Sequence, residues 1–237
     1  MTEIKSIVEK CRVIDEVDNT KSIIYFDPNF YDDFKYPIEL FNLQTWKGLS
    51  NFDIEHTKWE PPRLQIWSHL NKLSFHHKWN FDRWQHTDYT DWLLKFQQDT
   101  FEKIQPVLKL FNSHYDIKLP NINSVLLNKY SDQNSSIHLH QDIIPEFGIN
   151  PTIIAASFGE TRTFNLIRVK KGINKLIPLE EEKHLNMSFE LSDKSLLIMA
   201  GSSQKYYAHE IPKTLVEKGV RISCIFREHN ICPEFAV

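Results

Sequence analysis

Cysteine is scarce in this chain. Three occur in 237 residues (Cys11, Cys224 and Cys232), without the paired spacing of a zinc ribbon. An odd, sparse count excludes a disulfide scaffold and suits a reducing compartment. No run of about 18 apolar residues is present, which excludes an apolar membrane-spanning helix. The N-terminal MTEIKSIVEK lacks the apolar centre of a secretory signal. The expected location is therefore intracellular, cytoplasmic or nuclear, with no membrane partner. No charge of one sign dominates either. The net charge is -3, so any contact with a polyanion has to be local. Internal repeats and low-complexity tracts are absent. What is present is 41% hydrophobic residues, enough for a real core in one large domain or one domain plus an extension.

The first half reads as mixed structure. Ile4, Ile7, Val8, Cys11 and Ile14 follow a helical period and predict a helix over 3–16. SIIYFDPNFY is a short strand ended by Asp-Pro. DDFKYPIELFNLQTW is expected to be helical and broken near Pro37. TDYTDWLLKFQQDTFEKIQPVLKLF is the longest helical pattern, with Thr90 or Asp91 as N-cap and Pro106 expected to kink or end it. Between His56 and His86 lie four of the six tryptophans (Trp59, Trp67, Trp79, Trp84) and five of the eleven histidines. Five basic residues there (Lys58, Arg63, Lys72, Lys78, Arg83) outnumber two acids (Glu60, Asp82). From residue 122 the texture changes to short β-branched or aromatic runs broken by Gly, Pro, Asp and Asn. Strands without intervening helices predict a sandwich, barrel or jelly roll.

One strand carries chemistry. In SSIHLHQDIIPEFG, side chains two apart share a face, so His138, His140 and Asp142 point one way and Ile137, Leu139 and Gln141 the other. A His-x-Asp pair offers an imidazole and a carboxylate to one metal, or forms a hydrogen-bonded surface pair. A third ligand is available downstream at His209 in QKYYAHEIPK. Two histidines and a carboxylate on one face, with open positions opposite, suit non-haem Fe(II) oxygenase chemistry. In the last strand, Val220, Ile222, Cys224 and Phe226 share one face, and Arg221, Ser223, Ile225 and Arg227 the other. The two arginines are either solvated or turned inward to meet an anion, which a carboxylate held bidentately satisfies. In INSVLLNKY, Asn128 and Tyr130 share a face and are either polar residues near a turn or donors to that carboxylate.

These motifs together resemble the AlkB-like Fe(II)/2-oxoglutarate dioxygenases. The similarity rests on LLNKYSDQNSSIHLHQD, IIAASFGETRTFNL, LSDKSLLIMAGSSQKYYAHEIPK and GVRISCIFR, in the family's order. It covers residues 120–228 closely and 20–119 loosely. The resemblance implies an α+β protein with a double-stranded β-helix (jelly-roll) core over 120–237. An α/β N-terminal extension and substrate lid would occupy 1–119, within one continuous catalytic domain from about residue 20. It implies Fe(II) on His140, Asp142 and His209, with 2-oxoglutarate and O2 as co-substrates. Asn128, Tyr130, Arg221 and Arg227 would hold 2-oxoglutarate, Arg221 taking its distal carboxylate. Ser223 stands where some members have asparagine. His138 falls outside the triad. EPPRLQIWSH resembles the Pro-Arg segment of the family's lid, whose aromatics can stack on an extruded base while basic residues follow phosphates. Substrate contacts are expected from Arg63, Trp67, His69, Ile144, Glu146 and Arg162. Where familiar demethylases carry acids just after His-x-Asp, this chain has Ile143, Ile144 and Pro145, and the first acid is Glu146. The expected activity is oxidative demethylation of N-alkylated bases in DNA or RNA, of the 1-methyladenine and 3-methylcytosine type, as in DNA repair. Single-stranded nucleic acid is the expected partner and a monomer the expected state. The alternative is an oxygenase acting on a protein, lipid or small molecule.

Overall fold

A computed structural model describes residues 2–34, 37–43, 45–48, 63–76, 78, 81–173 and 175–231. Trp59, Trp79, Lys58 and Glu60 lie outside the described residues.

Two antiparallel sheets face each other. The larger is built from β1 (Cys11–Asp15), β2 (Lys21–Asp27), β3 (Leu64–His69), β4 (Ser124–Tyr130), β6 (Ile153–Gly159), β10 (Ser195–Gly201) and β12 (Arg221–Arg227). Its order is β1-β2-β10-β6-β12-β4-β3. The smaller contains β5 (Ile137–His140), β11 (Tyr207–Ile211), β7 (Arg162–Lys171) and β8 (Leu176–Pro178) in the order β5-β11-β7-β8, with β9 (Met187–Leu191) also paired to β7. This is the expected jelly roll. The first 119 residues are not a separate layer, because β2 pairs with β10 and β3 with β4 at opposite flanks of the large sheet.

Alternation along each strand divides the large sheet into two faces. Ile222, Cys224 and Phe226 of β12, with Val125 and Leu127 of β4, join the outer core. That core is closed by α3 (Asp91–Tyr115), through Phe96, Ile104, Leu108 and Phe111 among others. Their three- and four-residue spacing forms the apolar stripe of a surface helix. Thr90 caps α3 by accepting from the Leu93 N–H. Pro106 sits inside α3 and does not end it. Buried residues on both sides of it hold the helix on the sheet, and this packing outweighs a proline cost of about 3 kcal/mol.

The expected helix over 3–16 is shorter. α1 (Thr2–Glu9) ends before β1, whose Cys11–Asp15 pairs with Lys21–Tyr25. The hairpin is closed by Asn19 in a left-handed conformation and by Asp18 accepting from Thr20 N–H and Oγ1–H. α2 (Pro37–Phe41) is a short piece of the second expected helix, beginning at the proline that was expected to break it. α4 (Ser203–Tyr206) is a single turn leading into β11. Among the described residues no helix is long and apolar enough to cross a membrane.

Candidate active site

The inner faces of the two sheets enclose a cavity of about 360 Å³. β5 and β11 pair so that His140 lies directly opposite His209, with their rings 4.2 Å apart between centroids. Asp142 lies two residues beyond the end of β5, where its N–H donates to Gln204 Oε1 at 2.8 Å. One ligand atom from each of His140, Asp142 and His209 lies within 4.8 Å of the others. Cross-strand register and a side-chain clamp on the chain after β5 thus do what a single straight strand was expected to do.

The donor chemistry fits a divalent metal. His140 Nδ1–H donates to the His138 carbonyl at 2.8 Å, which turns Nε2 towards Asp142 Oδ1 at 3.5 Å. His209 is buried against Phe164, stacked at 5.3 Å, and its Nδ1 has no hydrogen-bond partner. Burial, then the neighbouring His140, pushes its pKa down to about 3, so it is a neutral imidazole at pH 7. Burial opposes ionisation of Asp142, but Arg227 and the two histidines hold its carboxyl far below the usual range. A neutral His209 imidazole and an ionised Asp142 carboxylate are forms a metal binds.

The second half of the cavity is cationic. Arg221 is 1% exposed, donates from Nη2 to Ser157 Oγ at 2.8 Å, and lies 5.0 Å from the Tyr130 ring centre. Its Nε and Nη1 have no hydrogen-bond partner. Burial lowers its pKa, and the adjacent Tyr130 phenol opposes that shift. Arg227, also buried, pairs with Asp142 at 3.4 Å and stacks over Phe147 at 4.4 Å. Its Nε and Nη1 are unpartnered too. Both arginines therefore face inward, and an inward guanidinium lacking acceptors is costly until an anion arrives. Asn128, Tyr130 and Ser223 line the same cavity. The β4–β12 register sets Arg221 beside Tyr130 and Ser223 beside Asn128.

The expected substrate residues divide. Arg63 lines the cavity and donates to Asn128 Oδ1 at 3.0 Å and to the Ser136 carbonyl at 3.3 Å. Ile144 lines it beside Ile143. Four others do not. Trp67 is on the inner face but fully buried, its Nε1–H given to the Leu73 carbonyl and its ring edge-on to Phe75. His69 is 1% exposed and held between the His229 carbonyl and the Asn71 N–H. Glu146 is turned away because the 3-10 turn Pro145–Phe147 places Ile144 and Phe147 on the cavity side, and so Glu146 on the other. Arg162 donates to the carbonyls of Asp132, Ser135 and Pro212, tying together the segments before β5 and after β11. Burial consumes these four side chains in packing, so they do not touch a ligand in the cavity. His138, on an exposed part of β5, contributes its carbonyl to His140. Of the basic lid residues, Lys72 is paired with Asp88 at 3.0 Å.

Sequence reasoning missed Phe75 and Gln65, and named Trp84 only as one of the lid tryptophans. Phe75 and Trp84 are stacked at 5.3 Å and 29° and line the cavity. The signal for Gln65 was present, since it lies two residues beyond Arg63 on what proves to be the flanking strand.

Three comparisons bear on this geometry. The family model described as the 2OG-Fe(II) oxygenase superfamily matches residues 46–227, more than half of the chain. Over 109 residues the chain is 34% identical to alpha-ketoglutarate-dependent dioxygenase alkB homolog 3 of Mus musculus, covering 44% of this chain and 36% of that protein. It is 28% identical over 141 residues to the DNA oxidative demethylase ALKBH2 of Arabidopsis thaliana, covering 54% and 45%. The matches thus span less than half the length of these curated relatives. The solved structure of OsALKBH1 shares the fold, with a TM-score of 0.54 at 14% identity over 88% of this chain and 96% of that one. The family model matches over most of the chain, so this chain belongs to the 2OG-Fe(II) oxygenase superfamily, and the curated relatives it is similar to are AlkB homologues.

Proposed function

We propose that this protein is an Fe(II)/2-oxoglutarate-dependent dioxygenase that removes methyl groups from nitrogens of nucleic-acid bases, single strands being preferred. The family brings Fe(II), 2-oxoglutarate and O2 as cofactor and co-substrates. His140, Asp142 and His209 would hold the metal. Arg221 would take one carboxylate of 2-oxoglutarate, with Asn128, Tyr130 and Ser223 beside it. Arg227 would neutralise Asp142 and fix its orientation. The observation that carries the reading is the convergence of the triad and two buried, unsatisfied guanidinium groups on one cavity.

When bound, the metal with its co-substrates supplies the oxidising power: 2-oxoglutarate and O2 become succinate and CO2, and one oxygen atom enters a substrate C–H bond. A methyl on nitrogen becomes hydroxymethyl; its C–N bond then breaks, the electron pair stays on the nitrogen, and formaldehyde leaves, the O–H proton going to solvent from a cationic base or to the nitrogen of a neutral one. The chain's own part is placement. Neutral His209 and ionised Asp142 are ready to ligate without first losing protons. The arginines draw the dianionic co-substrate inward, and the apolar walls formed by Leu126, Ile144, Phe164 and Leu191 exclude water.

The nucleic-acid part rests on three supports. A relative matched over 54% of the chain is named a DNA oxidative demethylase. A stacked Phe75–Trp84 pair lines the cavity, with Arg83 over the Trp84 ring, so the pair offers a base a rigid apolar wall rather than an open stacking face. Arg63 adds a cation to the lining of the same cavity. An unpaired base is cheaper to reach in a single strand, because no pairing has to be broken. The test is formaldehyde release with nucleoside mass spectrometry on matched single- and double-stranded methylated oligonucleotides, given Fe(II), 2-oxoglutarate and ascorbate. Demethylation faster on single strands, and weakened binding as salt rises, is the expected result. Brisk 2-oxoglutarate turnover with every methylated base intact would sink the nucleic-acid reading and favour a protein, lipid or small-molecule substrate.

A further inference from the structure

We propose that Gln65 and Arg63 are positioning residues that lock the Asn128 amide in one of its two orientations and so aim its NH2 at the co-substrate. This rests on the placement of 2-oxoglutarate beside Arg221 given above. Gln65 Nε2 donates to Asn128 Oδ1 at 2.8 Å, and Arg63 Nε donates to the same oxygen at 3.0 Å. Two donors on one oxygen leave no freedom to exchange the oxygen and nitrogen ends, since the flipped amide would set its own N–H groups against both.

Sheet order then decides where the NH2 goes. β4 lies between β3 and β12. Both donors come from the β3 flank, with Gln65 directly opposite Asn128 in the register. The NH2 is therefore turned to the β12 flank, where Ser223 is the cross-strand partner and Arg221 lies two residues away on the same face. There it adds a neutral donor to an anion site already holding a guanidinium. In the other orientation the amide oxygen would face a carboxylate and repel it.

Gln65 is well placed for this task. It is 2% exposed, and its backbone exchanges hydrogen bonds with Lys47 on its free flank, N–H to O at 2.9 Å and O to N–H at 3.0 Å. Its side chain has no anion of its own to bind. Its contribution to 2-oxoglutarate passes through Asn128.

The test is a double-mutant cycle read by calorimetry on the full chain loaded with redox-silent Mn(II). Gln65→Met should weaken 2-oxoglutarate binding about tenfold, the scale of one hydrogen bond to a charged group, with Mn(II) affinity unchanged. In an Asn128→Ala background the same change should alter binding less than about twofold, because nothing remains to orient. Arg63→Met, at a half-buried position, repeats the cycle if the first variant folds poorly. Wild-type affinity in both single variants, or an undiminished loss in the Asn128→Ala background, would overturn the positioning role while leaving the co-substrate site standing. A wild-type protein that binds Mn(II) and no 2-oxoglutarate overturns both.

Discussion

Replacing Arg221 by methionine separates two effects that ordinarily move together. In the ligand-free protein this guanidinium is 1% exposed, holds one hydrogen bond at 2.8 Å and leaves Nε and Nη1 without acceptors. Methionine fills similar volume without a charge. The ligand-free variant should therefore be as stable as wild type or more stable, as when buried charges are exchanged for apolar residues. Affinity for 2-oxoglutarate should fall by about 2–4 kcal/mol, about 30- to 1,000-fold in Kd. At a concentration about 100 times the wild-type Kd, binding stabilises wild type by about 2.7 kcal/mol. A variant about 100-fold weaker gains about 0.4 kcal/mol under the same conditions. Chemical denaturation of the Mn(II) protein with and without 2-oxoglutarate reads both quantities. Arg221→Lys should recover affinity only in part, because an ammonium cannot form the planar fork. Refutation would be a ligand-free Arg221→Met protein destabilised by several kcal/mol, or one whose 2-oxoglutarate affinity is unchanged.

Further outcomes follow from the same geometry. The metal-free protein should lose stability as pH falls from about 6.5 towards 4. Burial depresses the folded pKa values of His209 and His229 to about 3 and about 4, below the ordinary 6.5, so the unfolded chain takes up protons first. Asp142, also depressed on folding, adds to the loss below its ordinary 3.8. Denaturation midpoints at pH 7.5, 6 and 5 check this, and a flat profile would contradict it. Trp84→Ala, which removes the aromatic wall that Phe75 and Arg83 hold in place, should cut demethylation of oligonucleotides severalfold while 2-oxoglutarate turnover without substrate persists. Equal loss of both activities would mean that Trp84 only supports the fold. Ile144→Asp, which places a carboxylate on the cavity wall, should raise the preference for cationic 1-methyladenine and 3-methylcytosine over neutral methylated bases, measured by competition between oligonucleotides.

What could be read from the chain depended on how each residue is placed. On β12 the period-two pattern put Arg221 and Arg227 on one face, but it left them either solvated or inward, and only the motif resemblance chose the inward side that the structure shows. His140 and Asp142 were legible as neighbours by the same period, although Asp142 reaches its place through Gln204 rather than through a continuing strand. His209 was found only through its motif. β11 is buried along nearly its whole length, so no alternation marks it as a strand. The lid residues failed for a different reason. Composition drew attention to Trp67, yet Phe75, Phe147 and Leu126 pack around it, contacts distant in sequence that no local pattern encodes. Glu146 was counted by distance from His-x-Asp, but a three-residue turn reverses its direction.

The central claim is that His140, Asp142 and His209 hold Fe(II) beside 2-oxoglutarate. The most direct measurement adds 2-oxoglutarate to the anaerobic Fe(II) protein, follows the visible charge-transfer absorption, then admits air and counts succinate. Wild type should develop the absorption and turn over. So should His138→Ala, because the His138 group that orients His140 is its backbone carbonyl, which alanine retains. His140→Ala, Asp142→Ala and His209→Ala should each lose both signals while staying folded. Near wild-type absorption and succinate in any of those three variants, or neither signal in the wild type, would contradict the account.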